Sequence, residues 1–152
     1  IDPKMGRPLW TCDGLTVYVY TSPLYSPMHK IGVAMSGFNG SAFAVKLGGN
    51  GDITKSRLWH HPKNTQRVGS GIIVGDHVYI VEESGQPHCY ELESGKEVWG
   101  VEKRPTNTNW GSMVHADGKL YVMTRDASEA TLKSGDEVTA RILSPVTVTV
   151  EK

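Results

Sequence analysis

Little in this sequence points to a disulfide scaffold, a membrane span or a charged partner. Cysteine is scarce: Cys12 and Cys89 are the only two among 152 residues, too few for a stapled framework. They read as two separate thiols. No run approaches the ~20 apolar residues that a spanning helix needs. Charge of one sign is missing too, because 16 Lys and Arg balance 16 Asp and Glu. That balance excludes the basic field that would hold nucleic acid and gives an anionic membrane surface little to grip. It also removes the repulsion that keeps copies of a protein apart, which eases self-association. Sustained apolar spacing at i, i+3, i+4, i+7 is absent, so no long helix is expected. The opening "IDPKMGRPLW" lacks the apolar centre of a signal peptide. Residues 1–4 read either as an addition to the natural chain or as the start of an exported chain whose leader was removed. The expectation is a soluble protein of bacterial type, exported or periplasmic in the second case.

What the sequence does have is punctuation. Seventeen glycines and eight prolines break it into short runs of alternating apolar and polar residues. "GIIV" (residues 71–74) leads through "GD" into "HVYIVE". "SMVH" (residues 112–115) leads through "ADGK" into "LYVMT". Gly-Asp and Asp-Gly between apolar runs signal hairpins, since the tight turn needs a positive φ.

The hairpins recur within a longer unit. Residues 68–100 match residues 110–140 with Ser70 against Ser112, Tyr79 against Tyr121 and Gly95 against Gly135. A more divergent copy covers residues 21–61. "GRPLW" at residues 6–10 resembles the tail of a unit, "GKEVW". The period is about 40 residues with four strand-like segments, the signature of a propeller blade or related all-β array. The phrase "LESGKEVW", together with "VKLGGNGDITKSRLWHHP" and "RVGSG", resembles the tryptophan-docking repeat of the pyrroloquinoline-quinone-type β-propellers. The resemblance runs over about residues 6–125. It implies a fold, and it leaves function open because propellers host many chemistries.

In such repeats the Trp of the outer strand lies between neighbouring blades, where burial of so large a ring contributes about 2–3 kcal/mol. Trp10, Trp59 and Trp99 occupy that slot in turn, and Thr139 occupies it in the last unit. The expected fold class is therefore all-β: one domain over residues 1–152, built of antiparallel four-stranded blades at 21–61, 68–100 and 110–140, with an extra C-terminal strand at 141–152. Propellers close with about four to eight blades. Three units leave an incomplete propeller, a fragment of about three blades: a piece of a longer protein, a different β arrangement such as a barrel or sandwich, or, the reading favoured, blades completed by oligomerisation as a dimer or trimer.

Candidate chemistry centres on six histidines. His60, His61, His77 and His115 are the ligands proposed for a zinc site assembled between units or subunits, where bound metal would lower the pKa of water for hydrolysis. The propeller resemblance implies that His60 and His61 leave the outer strand and enter the loop toward the next blade; only a loop lets both reach one metal, since adjacent strand residues point to opposite faces. Cys89 beside His88 is a further possible ligand, read instead as a buried strand cysteine. A second constellation, suited to a polar or carbohydrate-like ligand, draws on Arg67, Glu82, Trp110 and Arg125, with Asn39, Glu83 and Asp126 nearby. Trp110 is expected in the loop before a first strand. Nucleophile-elbow and phosphate-loop patterns are absent. The resemblance implies that no quinone cofactor is expected, since the quinone-dependent enzymes use a vicinal cysteine pair and Cys12 and Cys89 are not vicinal. Two functions remain open: a non-catalytic, self-associating scaffold that presents loops to a protein or small-molecule partner, and a zinc-dependent hydrolase.

Overall fold

A computed structural model of the chain describes residues 1–38, 40–63, 68–82, 84–100 and 109–124, with further strands at 130–134 and 136–140. The expected C-terminal strand at 141–152 lies outside the described residues, as do Arg67 and Arg125. The described elements are almost entirely strands. The first blade consists of β2 (Leu24–Ser26), β3 (Ile31–Met35), β4 (Ala42–Lys46) and β6 (Arg57–His61), hydrogen-bonded in that order and antiparallel throughout. The second repeats the plan with β7 (Ile72–Val74), β8 (His77–Val81), β9 (Pro87–Glu91) and β10 (Glu97–Gly100). Two short strands, β1 (Trp10–Thr11) and β5 (Gly51–Asp52), pair in parallel beside the first blade.

The third unit departs from the expected four-stranded sheet. It has four strands, but as two hairpins that pair separately: β11 (Asn109–Ala116) with β12 (Lys119–Thr124), and β13 (Ala130–Ser134) with β14 (Asp136–Ala140). Hairpin turns fall where the sequence placed them. Val74 faces His77 across Gly75-Asp76, and Ala116 faces Lys119 across Asp117-Gly118. At the second turn both central residues have positive φ, 51° and 71°, the mirror-image turn whose twist matches that of the strands.

Alternation along each strand sorts residues to two faces. On the first blade Ile31, Val33, Met35, Ala42 and Ala44 face forward, toward the second blade, and meet Val78, Ile80 and Leu92 in one buried core. From the second blade, Tyr79, Val81 and Cys89 face forward onto Met113, Leu120 and Val122 of the third unit. Each seam thus lays the forward face of one unit on the backward face of the next.

The tryptophans lock these seams. Trp59 packs at the first, and its indole N–H donates to the Leu92 carbonyl at 2.9 Å. Gly95 sits against the ring: it has φ +68°, and a Cβ there would come within 2.5 Å of the indole. The glycine in "LESGKEVW" is therefore the seat for the preceding unit's ring. Trp99 packs at the second seam. A serine ladder stitches the same seams: Ser22 N–H donates to Ser70 Oγ at 2.8 Å, and Ser70 N–H to Ser112 Oγ at 3.0 Å.

Candidate functional site

Two places combine unusual chemistry with access from outside. The first is the backward face of the first blade. Its residues are Tyr25, Gly32, Ala34, Phe43 and Val45, which share one side of the sheet by register. Part of that face is covered by the N-terminal segment. β1 is held by two backbone hydrogen bonds, from Gly51 N–H to the Leu9 carbonyl (3.2 Å) and from Ile53 N–H to the Thr11 carbonyl (2.9 Å). Trp10 and Cys12 then pack on Phe43, Val45 and Ile53. Beyond Trp10 the segment is strapped down by Arg57, which donates to the Asp13 carbonyl at 3.0 Å, and by Ser41, which donates to the Gly14 carbonyl. Asp52 accepts from Thr54, and that bonding holds its carboxyl below the usual range. Burial, with Asp52 and Asp13 nearby, pushes the Cys12 thiol up despite the opposing Arg57 charge.

What the segment leaves open is a hollow of about 340 Å³, almost wholly apolar, between Trp10, Tyr25, Gly32, Ala34 and Phe43. It exists because Gly32 and Ala34 are small where the equivalent backward-facing positions of the second blade carry Val78 and Ile80.

The second place is a carboxylate–imidazole–carboxylate array on the second blade. His88 Nδ1 lies 2.5 Å from Glu97 Oε1, and Nε2 lies 2.9 Å from Glu82 Oε1. The Glu82 contact is close in distance but off the line of a hydrogen bond. The array tucks in because residue 100 is glycine: a Cβ there would meet Glu97 Oε1 at 2.6 Å and His88 Nδ1 at 2.7 Å. Tyr90 stacks on His88 with ring centres 6.0 Å apart. Burial, reinforced by Glu97 and then Glu82, raises its phenol to about 12. His61 continues the row, 5.3 Å from Tyr90 and 4.7 Å from Trp59, and burial holds its pKa below the ordinary value.

The remaining expected site residues are dispersed. His60 and His61 both remain within β6 and so diverge, a departure from the expected loop. His60 points to the backward face, its Nε2 3.0 Å from the Gly14 carbonyl, while His61 points into the first seam. His77 lines a polar cleft with His29, Asp76, Glu91 and Glu93, in which His29 pairs with Asp76 at 2.9 Å. His115 stands exposed on β11. Among the described residues no three His, Cys, Asp or Glu side chains are grouped to hold a metal ion. Cys89 is buried in the second seam, and that burial raises its thiol. Trp110 lies in the irregular start of β11 rather than in a preceding loop, and is 47% exposed. Asn39, Glu83 and Asp126, like Arg67 and Arg125, lie outside the described residues. Of the two described members of the ligand set, Glu82 and Trp110, Glu82 stands within the carboxylate–imidazole–carboxylate array. The sequence reading did not bring His88 and Glu97 to Glu82, since no spacing in the sequence links the three.

No family model matches the chain, and no curated protein matches it. Solved structures do. BamB from Moraxella catarrhalis aligns with TM-score 0.53 at 15% identity over 71% of this chain, which spans 31% of that protein. The computationally designed Ika4 protein aligns with TM-score 0.54 at 11% identity, over 91% of this chain and 99% of that one. A europium-containing methanol dehydrogenase aligns at TM-score 0.41 and 18% identity, over 57% of this chain and 16% of that one. Among the described residues no helix is long and apolar enough to cross a membrane. Four-stranded meanders, seams wedged by indoles and the two stronger alignments together give this chain the blade architecture of a β-propeller.

Proposed function

We propose that the chain is a non-catalytic propeller-type scaffold that self-associates through its blade faces and presents its loops to a protein or small-molecule partner. One observation carries this reading: the apolar hollow on the backward face of the first blade. The equivalent face of the second blade is covered by a neighbouring unit. An apolar face that the described residues leave partly open favours association. Size-exclusion chromatography with light scattering tests it. The expected mass is a multiple of 16.6 kDa; a single-chain mass at every concentration overturns it. The competing zinc-dependent hydrolase draws no support from the described histidines, since His60 and His61 point to opposite sides of one sheet.

A further inference from the structure

We infer that the hollow over Gly32 and Ala34 receives Tyr121 and Val114 from the third unit of a second copy. Copies then join head to tail, and Trp10 supplies the seam ring that the third unit lacks. The inference rests on the self-association proposed above and specifies its geometry.

Three independent features converge on this occupant. The first is register. Val114 pairs with Tyr121 across the β11–β12 hairpin, so the two share a face. That face is opposite to Met113 and Val122, which pack backward on the second blade. Val114 and Tyr121 are therefore the forward-facing residues of the third unit, equivalent to Ile72 and Tyr79 of the second, which pack forward at their own seam. They are 58% and 39% exposed. An aromatic ring and a β-branched side chain offered forward are complementary to a hollow made by glycine and alanine.

The second feature is the tryptophan count. Each of the two described seams holds one indole, from the outer strand of the preceding unit. At the backward face of the first blade that place is already taken by Trp10. A unit docking there need bring no tryptophan of its own, and in the repeated phrase the third unit has Thr139 where the second has Trp99. The loss of the largest residue from the repeated phrase is what such a joint permits.

The third feature is the serine ladder. Each step runs from the backbone N–H of one unit to the serine hydroxyl of the next, Ser22 to Ser70 and Ser70 to Ser112. Head-to-tail docking continues it, from Ser112 N–H to Ser22 Oγ of the second copy. Ser22 and Ser112 are both exposed. A heterologous joint of this kind either closes into a ring or propagates.

Two variants block opposite ends. Ala34→Arg fills the hollow with charge, and Tyr121→Asp removes the ring that enters it. Each alone is expected to run as a single chain of 16.6 kDa. An equimolar mixture is expected to recover a two-chain species, because one intact hollow then meets one intact Tyr121. Self-association that survives both variants overturns the joint while leaving the scaffold reading standing. A wild-type chain that never associates overturns both. A measurement on the unaltered chain guards against misfolded variants. Cys12 lines the hollow, so its alkylation, read by peptide mass spectrometry, is expected to slow severalfold as protein concentration rises through the association range. A constant rate in associated protein overturns the joint.

Discussion

The two faces of the first blade are made from the same strands by the same alternation, yet they differ in completeness. Forward, Ile31, Val33, Met35, Ala42 and Ala44 are almost fully buried under the second blade, and Trp59 closes the seam with a hydrogen bond to Leu92. Backward, Phe43 and Val45 are buried beneath Trp10, but Gly32 and Ala34 floor an open hollow. A blade is amphipathic on neither side: both faces need a neighbour. Burial of the second face depends on what docks, and a lone short strand covers only half of it.

Four experiments break or sharpen this comparison. Trp59→Ala should cost most, about 3–5 kcal/mol, because it opens a cavity in a closed seam. Urea unfolding midpoints measure it. Trp10→Ala should cost roughly half as much, since one side of that ring borders the hollow; equal losses would erase the distinction between the faces. Next comes Gly95→Ala, expected to lose about 1–3 kcal/mol through positive φ and collision with the indole, read as a lowered thermal midpoint. Gly75→Ala, where φ is also positive but a Cβ would meet nothing within 4 Å, separates strain from collision.

The smaller effects are pH-dependent. Tyr90 has its phenol raised from 10.0 to about 12. The unfolded chain ionises first, so stability present below pH 10 should fall progressively as pH climbs toward 12. Tyr90→Phe should flatten that alkaline limb in pH-resolved denaturation. For His61 the sign is opposite. Its folded pKa is depressed below 6.5 by burial, so the unfolded chain takes up the proton first. Stability should be full above pH 6.5 and decline as pH drops through the folded value. His61→Phe should remove that part of the acid limb, and no change in the limb would place the ring outside the seam.

Much of this was readable in advance. Gly75-Asp76 and Asp117-Gly118 announce their hairpins because few residues tolerate the backbone those turns need. The resemblance to tryptophan-docking repeats implied that Trp59 and Trp99 lie between units, and both pack at the seams. The site was less legible. Glu82 follows the end of β8, His88 is near the start of β9 and Glu97 opens β10, and only the β8–β9–β10 register brings them together. His60 and His61 looked like a ligand pair in one dimension; the strand that carries them turns them apart. Nor does spacing foretell that β11–β12 and β13–β14 pair as separate hairpins.

The amino-acid sequence alone determined that this chain forms strands and where it turns, because those outcomes follow from local sterics and from the alternation of apolar and polar residues. Only the tertiary structure decided which face each unit offers its neighbour, which carboxylates flank His88 and where an apolar surface is left uncovered. Those are properties of register and stacking. They arise from the summed fit of residues distant in sequence, and no local pattern encodes them.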